Sequence, residues 1–421
     1  MLKGIKVRIY PSEEQRNNLN SLLGSCRFVY NKLLEHKQRI YKESNVNVSF
    51  SEMSKKFHGE YRDEYSWLKL VNTKVVKQSI RNLDQAYTNF FTHGRGLPKF
   101  KSKRNKEKCI FPAEAVSKTP FNKETNKINL TKNIKNLKFK CSDKYREYLE
   151  NNKGGIRSVT VSKEKNGHYY ASILIEGNVR RKIKQPTNES VGIDLGVKTL
   201  AFYSNGCSEE NLKHYKGVDK KLKRVQRSLS RKVNGSSNHE KTRIKLNKIY
   251  KRIKNQKTSY LHNITSKIIK ENQIIVLEDL SVNEMYSANN NFNRAIQNVG
   301  FYEFKRQLGY KSSWYNRDLI IINKWFASSK TCSSCGWKNN NLKLSDRIFD
   351  CKECGLSIDR DYNAALNIER EGLTSYYKQI GHRVSDLKPV DSLTIENRLK
   401  SNFRFFINCN DYMKQEENVA H

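Results

Sequence analysis

Two closely spaced pairs of cysteines near the end of the chain constrain its fold more than any other feature. Cys332 and Cys335 form one C-x-x-C pair, Cys351 and Cys354 form a second, and fifteen residues separate the two pairs. Each short pair bends the backbone so that both thiolates face one ion, and the intervening residues can bring the second pair round. Four thiolates leave no open coordination position on Zn²⁺. The sequence therefore predicts one structural zinc ion in a ribbon over residues 330–356.

The strong positive charge of the chain narrows its class of partner. Among 421 residues there are 80 Lys and Arg against 42 Asp and Glu, a formal net charge of +38. Such an excess destabilises a compact state unless a polyanion compensates it, and nucleic acid is the polyanion we expect. A basic peripheral membrane protein is a weaker interpretation, because neither an amphipathic anchor nor a lipidation signal is present. No apolar run reaches the roughly 18 residues of a membrane span, so no membrane partner is expected.

The remaining cysteines and the first residues of the chain indicate its compartment. Five cysteines outside the two pairs are scattered along the chain: Cys26, Cys109, Cys141, Cys207 and Cys409. Scattered thiols beside a zinc site suit a reducing environment better than a disulfide scaffold does. The first ten residues contain no apolar core of a secretory signal. The sequence therefore predicts an intracellular protein.

Apolar periodicity divides the rest of the chain into segments. Alternation over residues 2–10 predicts a strand, and helical spacing predicts amphipathic helices that include Leu19 and Val76. Residues 156–161 and 168–175 are predicted strands that flank a tight turn. The predicted organisation is an N-terminal module at 1–185 with a helical insertion at about 12–95, a second domain at 186–329 plus 357–372, the ribbon at 330–356, and a poorly ordered tail at 373–421.

Three acidic residues lie where a metal-dependent nuclease would need them. Asp194 follows an apolar strand, Glu278 ends a buried β-branched strand, and Asp361 lies in the first turn of a helix after the ribbon. Strand, hairpin, helices, strand, helix, strand, helix is the element order of an RNase H-like sheet, whose carboxylates converge at one edge. Carboxylate oxygens suit Mg²⁺, and two Mg²⁺ ions about 4 Å apart can run phosphodiester hydrolysis.

Each acidic residue also has an alternative. Asp279 neighbours Glu278, and only one of two successive strand residues can face the site. Asp359 competes with Asp361, but it is a plausible N-cap, which would occupy its side chain. Asp194 could simply end a strand, and Asp361 could complement a helix dipole. The three acids alone are a weak signal, and the cysteine pairs and the element order strengthen it.

Basic segments supply candidate nucleic-acid contacts. Residues 216–257 contain sixteen Lys and Arg but only two acids, and their apolar spacing predicts two antiparallel helices with basic outer faces. The helix through Val76 and the basic loop after it offer further candidates. The full candidate set is Lys74, Lys77, Gln78, Arg81, Lys99, Lys101, Lys220, Lys221, Arg224, Arg227 and Arg231.

Several stretches together resemble one known family. They are KVRIYPSEEQ, GSCRFVYNKLL, SIRNLDQAYTNFF, LPKFKSKR, VGIDLGVKTLA, IIVLEDL, FYEFKRQLGYKSSWY, FASSKTCSSCG and CGLSIDRDYNAALNI. On these residues, from 1 to about 370, the chain resembles the TnpB (OrfB) proteins of bacterial insertion sequences. That family comprises RNA-guided DNA nucleases related to type V CRISPR effectors and to Fanzor.

The resemblance implies a multidomain α+β and α/β protein. Its N-terminal part would be a wedge-like β-barrel with an inserted helical bundle, followed by a RuvC-like RNase H fold with an inserted zinc ribbon. Asp194, Glu278 and Asp361 take the catalytic positions, with two Mg²⁺ ions, and the four cysteines of the ribbon take the zinc positions. Lys74, Lys77 and Gln78 are only candidates for reading DNA, because family members read different motifs.

The resemblance also implies partners and a reaction. A guide RNA from the transposon end would pair with double-stranded target DNA next to a short transposon-adjacent motif. The enzyme would be a monomeric, Mg²⁺-dependent DNA endonuclease of the bacterial cytoplasm, associated with the nucleoid. Alternatives are a catalytically silent RNA-guided regulator, an unguided transposase and an RNA-processing nuclease.

Overall fold

A computed structural model describes most of the chain and divides it into two compact units. The described residues are 2–103, 106–117, 121–122, 126–152, 155–176, 188–211, 215–280, 285–286, 293, 296, 299–343 and 345–379. The first unit comprises residues 1–180 and 224–249, and the second comprises residues 181–223 and 250–421. The division predicted from sequence had placed residues 224–249 in the second domain.

The first unit is built on a seven-stranded antiparallel sheet. Its strands are β1 (Leu2–Tyr10), β2 (Glu107–Pro112), β3 (Phe121–Asn122), β4 (Lys127–Ile128), β5 (Leu137–Lys140), β6 (Ile156–Lys163) and β7 (Tyr169–Glu176). They lie in the order β2-β6-β7-β1-β5-β4-β3. Alternate residues of β1 and β7 are buried, as the alternation over residues 2–10 predicted.

The β-barrel expected in this unit is not closed in the described residues. Strands β2 and β3 are the two edges of the sheet, and they do not pair with each other there. The short ladder of β3 and β4 forms one end of the sheet as far as the structure describes it. The expectation of a barrel is therefore corrected to an open sheet.

Helices between β1 and β2 occupy the predicted helical insertion. They are α1 (Glu13–Ser44), α2 (Phe50–Lys56), α3 (Arg62–Glu64) and α4 (Thr73–His93); α5 (Asp143–Asn151) lies between β5 and β6. Ser12 and Gln15 form a capping box that begins α1. Helix α4 ends at Gly94, whose φ of +59° is the left-handed conformation that glycine adopts readily. Buried leucines of α1 and valines of α4 join the sheet in one core.

The second unit contains a five-stranded mixed sheet. Its strands are β8 (Asn188–Leu195), β9 (Thr199–Tyr203), β10 (Ser208–Glu210), β11 (Asn272–Glu278) and β12 (Asp318–Ile322), in the order β10-β9-β8-β11-β12. Strands β8, β11 and β12 are parallel, and β9 and β10 are antiparallel to their neighbours. The elements follow one another along the chain in the order read from the sequence, while the pairing and directions of the strands are findings of the structure.

Helices connect or follow the strands of this sheet along the chain. They are α6 (Tyr215–Ser230), α7 (Ser237–Glu271), α8 (Phe301–Tyr315) and α9 (Arg360–Gln379). One apolar cluster joins Ile275 and Leu277 to residues of α7 and α8, and another joins Ile274 and Val276 to Ile368 of α9. Strand β11 is therefore buried on both faces, as its run of β-branched residues predicted, whereas in β12 only Ile322 is buried.

The ribbon and the end of the chain complete the second unit. Strands β13 (Ile348–Asp350) and β14 (Ser357–Asp359) form a two-stranded antiparallel sheet immediately before α9. Helix α9 continues to Gln379, so the predicted tail begins within a helix. The remainder of that tail, residues 380–421, lies outside the described residues. No helix in the described part of the chain is both long and apolar enough to cross a membrane.

Candidate functional site

Strand register brings Asp194 and Glu278 to the same place. Strands β8 and β11 pair in parallel with Ile193 opposite Leu277, so the next residue on each strand is one of the two acids. Residues at matching positions of paired strands point to the same face of a sheet. The two carboxylates therefore project from neighbouring strands, on one face, at the carboxyl end of the sheet.

Helix α9 lies against that face and brings the third acid to it. A Cβ atom on Gly192 would lie 2.2 Å from the carbonyl oxygen of Ala365, so the helix backbone packs directly on β8. Asp361 lies one helical turn before Ala365, and Asp194 lies two residues after Gly192. One helical turn rises about 6 Å and two strand residues about 6.6 Å, so both steps cover similar distances.

A ring contact supports this placement of Asp361. Phe202 on β9 pairs with Asp194, and its ring centroid lies 6.0 Å from that of Tyr362, the residue after Asp361. The beginning of α9 is therefore next to the end of β8. Three acids that are far apart in sequence meet at one edge of one sheet.

The charges of the three acids act on one another. Burial, together with the nearby carboxylates of Asp361 and Glu278, raises the pKa of Asp194 to about 7, against the lowering effect of Arg360. Burial also raises the pKa of Glu278, and a hydrogen bond from the Ser328 side chain opposes that rise. The Arg360 guanidinium lies 3.3 Å from the Asp361 carboxylate. An oxygen-rich cluster with this much unfavourable negative charge fits a divalent cation such as Mg²⁺.

Asp279 and Asp359, the two alternative acids, each bind a different partner. The Asp279 carboxylate is exposed and lies 2.6 Å from the Lys305 ammonium. The Asp359 carboxylate accepts hydrogen bonds from the backbone N–H groups of Asp361 (2.9 Å) and Tyr362 (3.0 Å). Asp359 therefore caps α9, as its sequence position suggested, and leaves Asp361 to face the other two acids.

The four cysteines of the ribbon lie together at its centre. Their sulfur atoms are all within 4.8 Å of one another, with Cys332 and Cys354 3.6 Å apart and Cys335 and Cys351 3.5 Å apart. A tetrahedral ion with Zn–S bonds of about 2.3 Å separates its sulfur atoms by about 3.8 Å. The four donors thus fit one Zn²⁺ ion without an open position.

Two matching turns hold these cysteines in place. The carbonyl oxygen of the first cysteine in each pair accepts a hydrogen bond from the N–H of Gly336 (3.0 Å) or Gly355 (3.1 Å). Both glycines have positive φ, +82° and +71°, which a side chain would strain. A backbone hydrogen bond from Leu356, with those of the neighbouring thiols, lowers the pKa of Cys354 to about 7, which favours the thiolate that zinc requires, whereas burial raises the pKa of Cys332 to about 12.

A set of buried hydrogen bonds attaches the ribbon to α9. The Asn363 side chain donates to the Thr331 carbonyl (2.7 Å) and accepts from the Ser333 N–H (2.9 Å). The Asn367 side chain donates to the carbonyls of Thr331 (2.6 Å) and Ser328 (2.8 Å). We call Asn363 and Asn367 the asparagine clamp. Sequence reasoning missed it, although two asparagines four residues apart on an otherwise apolar helix face were its signal.

The candidate nucleic-acid contacts differ in exposure. Eight of them are exposed: Lys74, Arg81, Lys99, Lys220, Lys221, Arg224, Arg227 and Arg231. Lys77 and Gln78 are half-buried. The Lys101 ammonium differs from all of these, because it lies 3.4 Å from the centroid of the Tyr30 ring and burial lowers its pKa to about 8. Lys101 is thus packed within the first unit, and its sequence position in a basic loop did not indicate that.

Three family models match parts of this chain. A Cas12f1-like TNB domain matches residues 301–368, a probable transposase matches residues 160–289, and a helix-turn-helix domain matches residues 1–45. In this structure residues 1–45 contain strand β1 and the single helix α1. The TNB match covers α8, β12, the ribbon and the first half of α9.

Curated proteins similar to this chain cover nearly its whole length. A putative RNA-guided DNA endonuclease of Streptomyces pristinaespiralis is 33% identical over 374 residues, which is 89% of this chain and 90% of that protein. The putative RNA-guided DNA endonuclease InsQ of Escherichia coli K12 is 30% identical over 88% of this chain and 92% of its own length. The TnpB-like protein L79 of Acanthamoeba polyphaga mimivirus is 25% identical over 89% of this chain and 74% of its own length.

Proposed function

Since the chain belongs to the TnpB family, we propose that it is an RNA-guided, Mg²⁺-dependent DNA endonuclease. It would cleave double-stranded target DNA next to a short transposon-adjacent motif. The observation that carries this proposal is the convergence of Asp194, Glu278 and Asp361 at the carboxyl edge of the five-stranded sheet. Its relatives are named as putative RNA-guided DNA endonucleases, which supports the same reaction.

The three carboxylates have defined parts in this proposal. Asp194, Glu278 and Asp361 would together hold the Mg²⁺ ions through their carboxylate oxygens. The bound ions would lower the pKa of the attacking water and stabilise the leaving 3′ oxygen. Ser328 would orient Glu278 through its hydrogen bond, and Arg360 would neutralise charge at Asp361. The RuvC-like assignment of the domain rests on this edge and on the strand order.

The rest of the chain would hold nucleic acid rather than react with it. The guide RNA would supply sequence recognition by base pairing, and exposed Lys and Arg side chains would bind its phosphates. Exposed residues of α6, Lys220, Lys221, Arg224 and Arg227, form the densest such group. The ribbon would be held by one structural Zn²⁺ ion, and the complex would act as a monomer on one RNA.

Substitution of a carboxylate tests the proposal directly. The Asp194→Ala variant, purified with the RNA it binds, should cleave a matched target at background rate and keep its RNA. Asp279→Ala is the control, because that carboxylate pairs with Lys305 outside the cluster, and it should cleave at nearly the normal rate. Cleavage by Asp194→Ala near the normal rate would refute the assigned site.

The same assay separates the alternatives. Unsubstituted protein that binds guide RNA and target but leaves the DNA intact in Mg²⁺ would be a regulator rather than a nuclease. Joining of transposon ends without added RNA would indicate an unguided transposase. Cleavage of RNA in the absence of DNA would indicate an RNA-processing enzyme.

A further inference from the structure

An exposed tryptophan follows strand β12 at the carboxyl edge of the five-stranded sheet. The Trp325 side chain is 77% exposed, an unusual state for a large apolar ring. Its backbone is nevertheless fixed. The Asn323 side-chain oxygen accepts a hydrogen bond from the Trp325 N–H (3.0 Å), and the Asn323 carbonyl accepts one from the Phe326 N–H (3.1 Å). Phe326 packs inward against the apolar cluster of Val276 and Ile368, so the turn is anchored while the indole faces outward.

The turn lies beside the carboxylate cluster. Ile322, the last residue of β12, pairs with Glu278 in the sheet. Trp325 comes three residues later, and three residues of chain span at most about 11 Å. Three residues after Trp325, the Ser328 side chain hydrogen-bonds Glu278. Trp325 therefore lies between two residues that contact Glu278, a proposed catalytic acid. Ile322 pairs with it in the sheet, and the Ser328 side chain hydrogen-bonds its carboxylate.

The side chain of Lys324 lies next to the Trp325 ring. The Lys324 ammonium lies 4.5 Å from the centroid of the Trp325 ring. An exposed aromatic face with an adjacent ammonium matches two parts of a nucleotide, because a base can stack on the ring while the cation attracts a phosphate. Bases within a duplex are stacked on one another and offer no free face to the indole. The matching ligand is therefore an unpaired nucleotide.

We propose that Trp325, together with Lys324, is a stacking subsite for an unpaired base of the DNA strand that enters the carboxylate site. The short chain between Ile322 and Trp325 keeps that base within a few nucleotides of the phosphodiester to be cut. The subsite would favour a strand that has already been separated from its complement. This inference rests on the proposed nuclease function for the identity of the strand, but the binding it describes can be measured without cleavage.

The test uses the full chain carrying Asp194→Asn, which prevents cleavage during the measurement. The probe is a single-stranded oligodeoxynucleotide with one 2-aminopurine, whose fluorescence is quenched when it stacks on an aromatic ring. Adding Trp325→Ala should abolish the quenching and weaken oligonucleotide binding by about 5- to 150-fold, the usual range for loss of one stacked base. Trp325→Phe should retain most of both effects.

Two controls make the result decisive. Ile348→Ala removes another exposed apolar side chain of the second unit and should change neither signal. The midpoint of thermal unfolding should stay the same in Trp325→Ala, since the ring contributes little buried area. Unchanged quenching in Trp325→Ala, or an equal loss in Ile348→Ala, would overturn the subsite. If the unsubstituted protein fails to cut guided targets but the Trp325-dependent quenching persists, the nuclease proposal fails and the base-binding site remains.

Discussion

The ribbon and the carboxylate edge are two candidate metal sites that are built in opposite ways. The ribbon takes its four donors from residues 332–354, and they already lie within 4.8 Å of one another. The carboxylate edge takes three donors from positions as far apart as 194 and 361. In the part of the chain that the structure describes, the cysteines are the one group of three or more candidate ligands that lie so close.

The difference follows from the charge of the donors. Neutral thiols can pack against one another before an ion arrives, and short turns bring them together. Carboxylates repel one another, and the charges of Asp361 and Glu278 add to the burial that raises the pKa of Asp194. One site is prepared by local backbone geometry, whereas the other is assembled by the packing of α9 on β8 and β11.

Loss of one thiolate should have the largest effect, and it should be confined to the ribbon. The binding free energy of a structural zinc ion is on the order of 10 kcal/mol. Cys351→Ser should therefore reduce the zinc content from one ion per chain to nearly none, measured by atomic emission. Cys141→Ser, which changes a thiol in the first unit, should keep one zinc ion. One ion per chain in Cys351→Ser would contradict the four-thiolate assignment.

The carboxylate edge should instead be sensitive to the packing of a residue that is not itself a donor. Gly192→Ala puts a Cβ atom 2.2 Å from a backbone oxygen of α9, which must move away. The free energy of unfolding should fall by about 3 kcal/mol, and cleavage should fall with it, while zinc content is retained. Gly309→Ala in α8 has open space around its Cβ and should be neutral or slightly stabilising. Equal effects of the two alanines would mean that α9 does not pack tightly there.

The pH dependence of stability should reveal the repulsion at Asp194. Its pKa in the folded protein, about 7, is above the value of 3.8 expected when unfolded, so folding loses stability as pH rises from about 4 to 7. Without Mg²⁺, Asp194→Asn should be more stable than the unsubstituted protein at pH 8, by about 1–3 kcal/mol, and the gain should vanish near pH 4. Chemical unfolding at both pH values measures this. A gain of the same size at pH 4 would exclude charge as its cause.

Substitution in the asparagine clamp should have the smallest effect, and it should alter both the carboxylate edge and the ribbon. Asn367→Leu keeps the side-chain volume and removes the hydrogen bonds to Ser328 and Thr331. Loss of such a supporting contact usually costs about 10- to 100-fold. We expect that loss in the cleavage rate, with unchanged guide binding, and faster zinc release to a colorimetric chelator. Asn341→Ala, an exposed asparagine of the ribbon, should change neither rate. Normal rates in Asn367→Leu would indicate that the ribbon and α9 act independently.

Several features of the site were predictable because they depend on nearby residues. The spacing of the cysteines predicted the ribbon, and the capping role of Asp359 correctly separated it from Asp361. The choice between Glu278 and Asp279 followed from the alternation of a strand, and the ion pair of Asp279 with Lys305 agrees with it. The order of strands and helices along the chain was read from the sequence, but the order of the strands within the second sheet was not.

Other features depended on contacts between distant segments, and neither the sequence patterns nor the resemblance indicated them. The barrel that the resemblance implied is an open sheet in the described residues. Lys101 lies in a basic loop, yet Tyr30, far away in sequence, holds its ammonium. The asparagine clamp joins α9 to a segment more than 30 residues earlier. Such contacts leave no periodic signal, because each partner is chosen by packing and not by spacing along the chain.

The sequence by itself determined the donors, the turns that hold the thiolates, and the strands and helix that carry the acids. Hydrogen bonds within a few residues, side-chain alternation and helix capping are local, so the residues themselves encode them. Tertiary structure alone decided how close the three acids lie and how the ribbon is fastened to α9. Gly192 lets the backbone of α9 pack directly on β8, and the buried Asn367 amide donates to the Thr331 carbonyl. Close packing and the pairing of buried polar groups act between segments that meet only when the chain has folded.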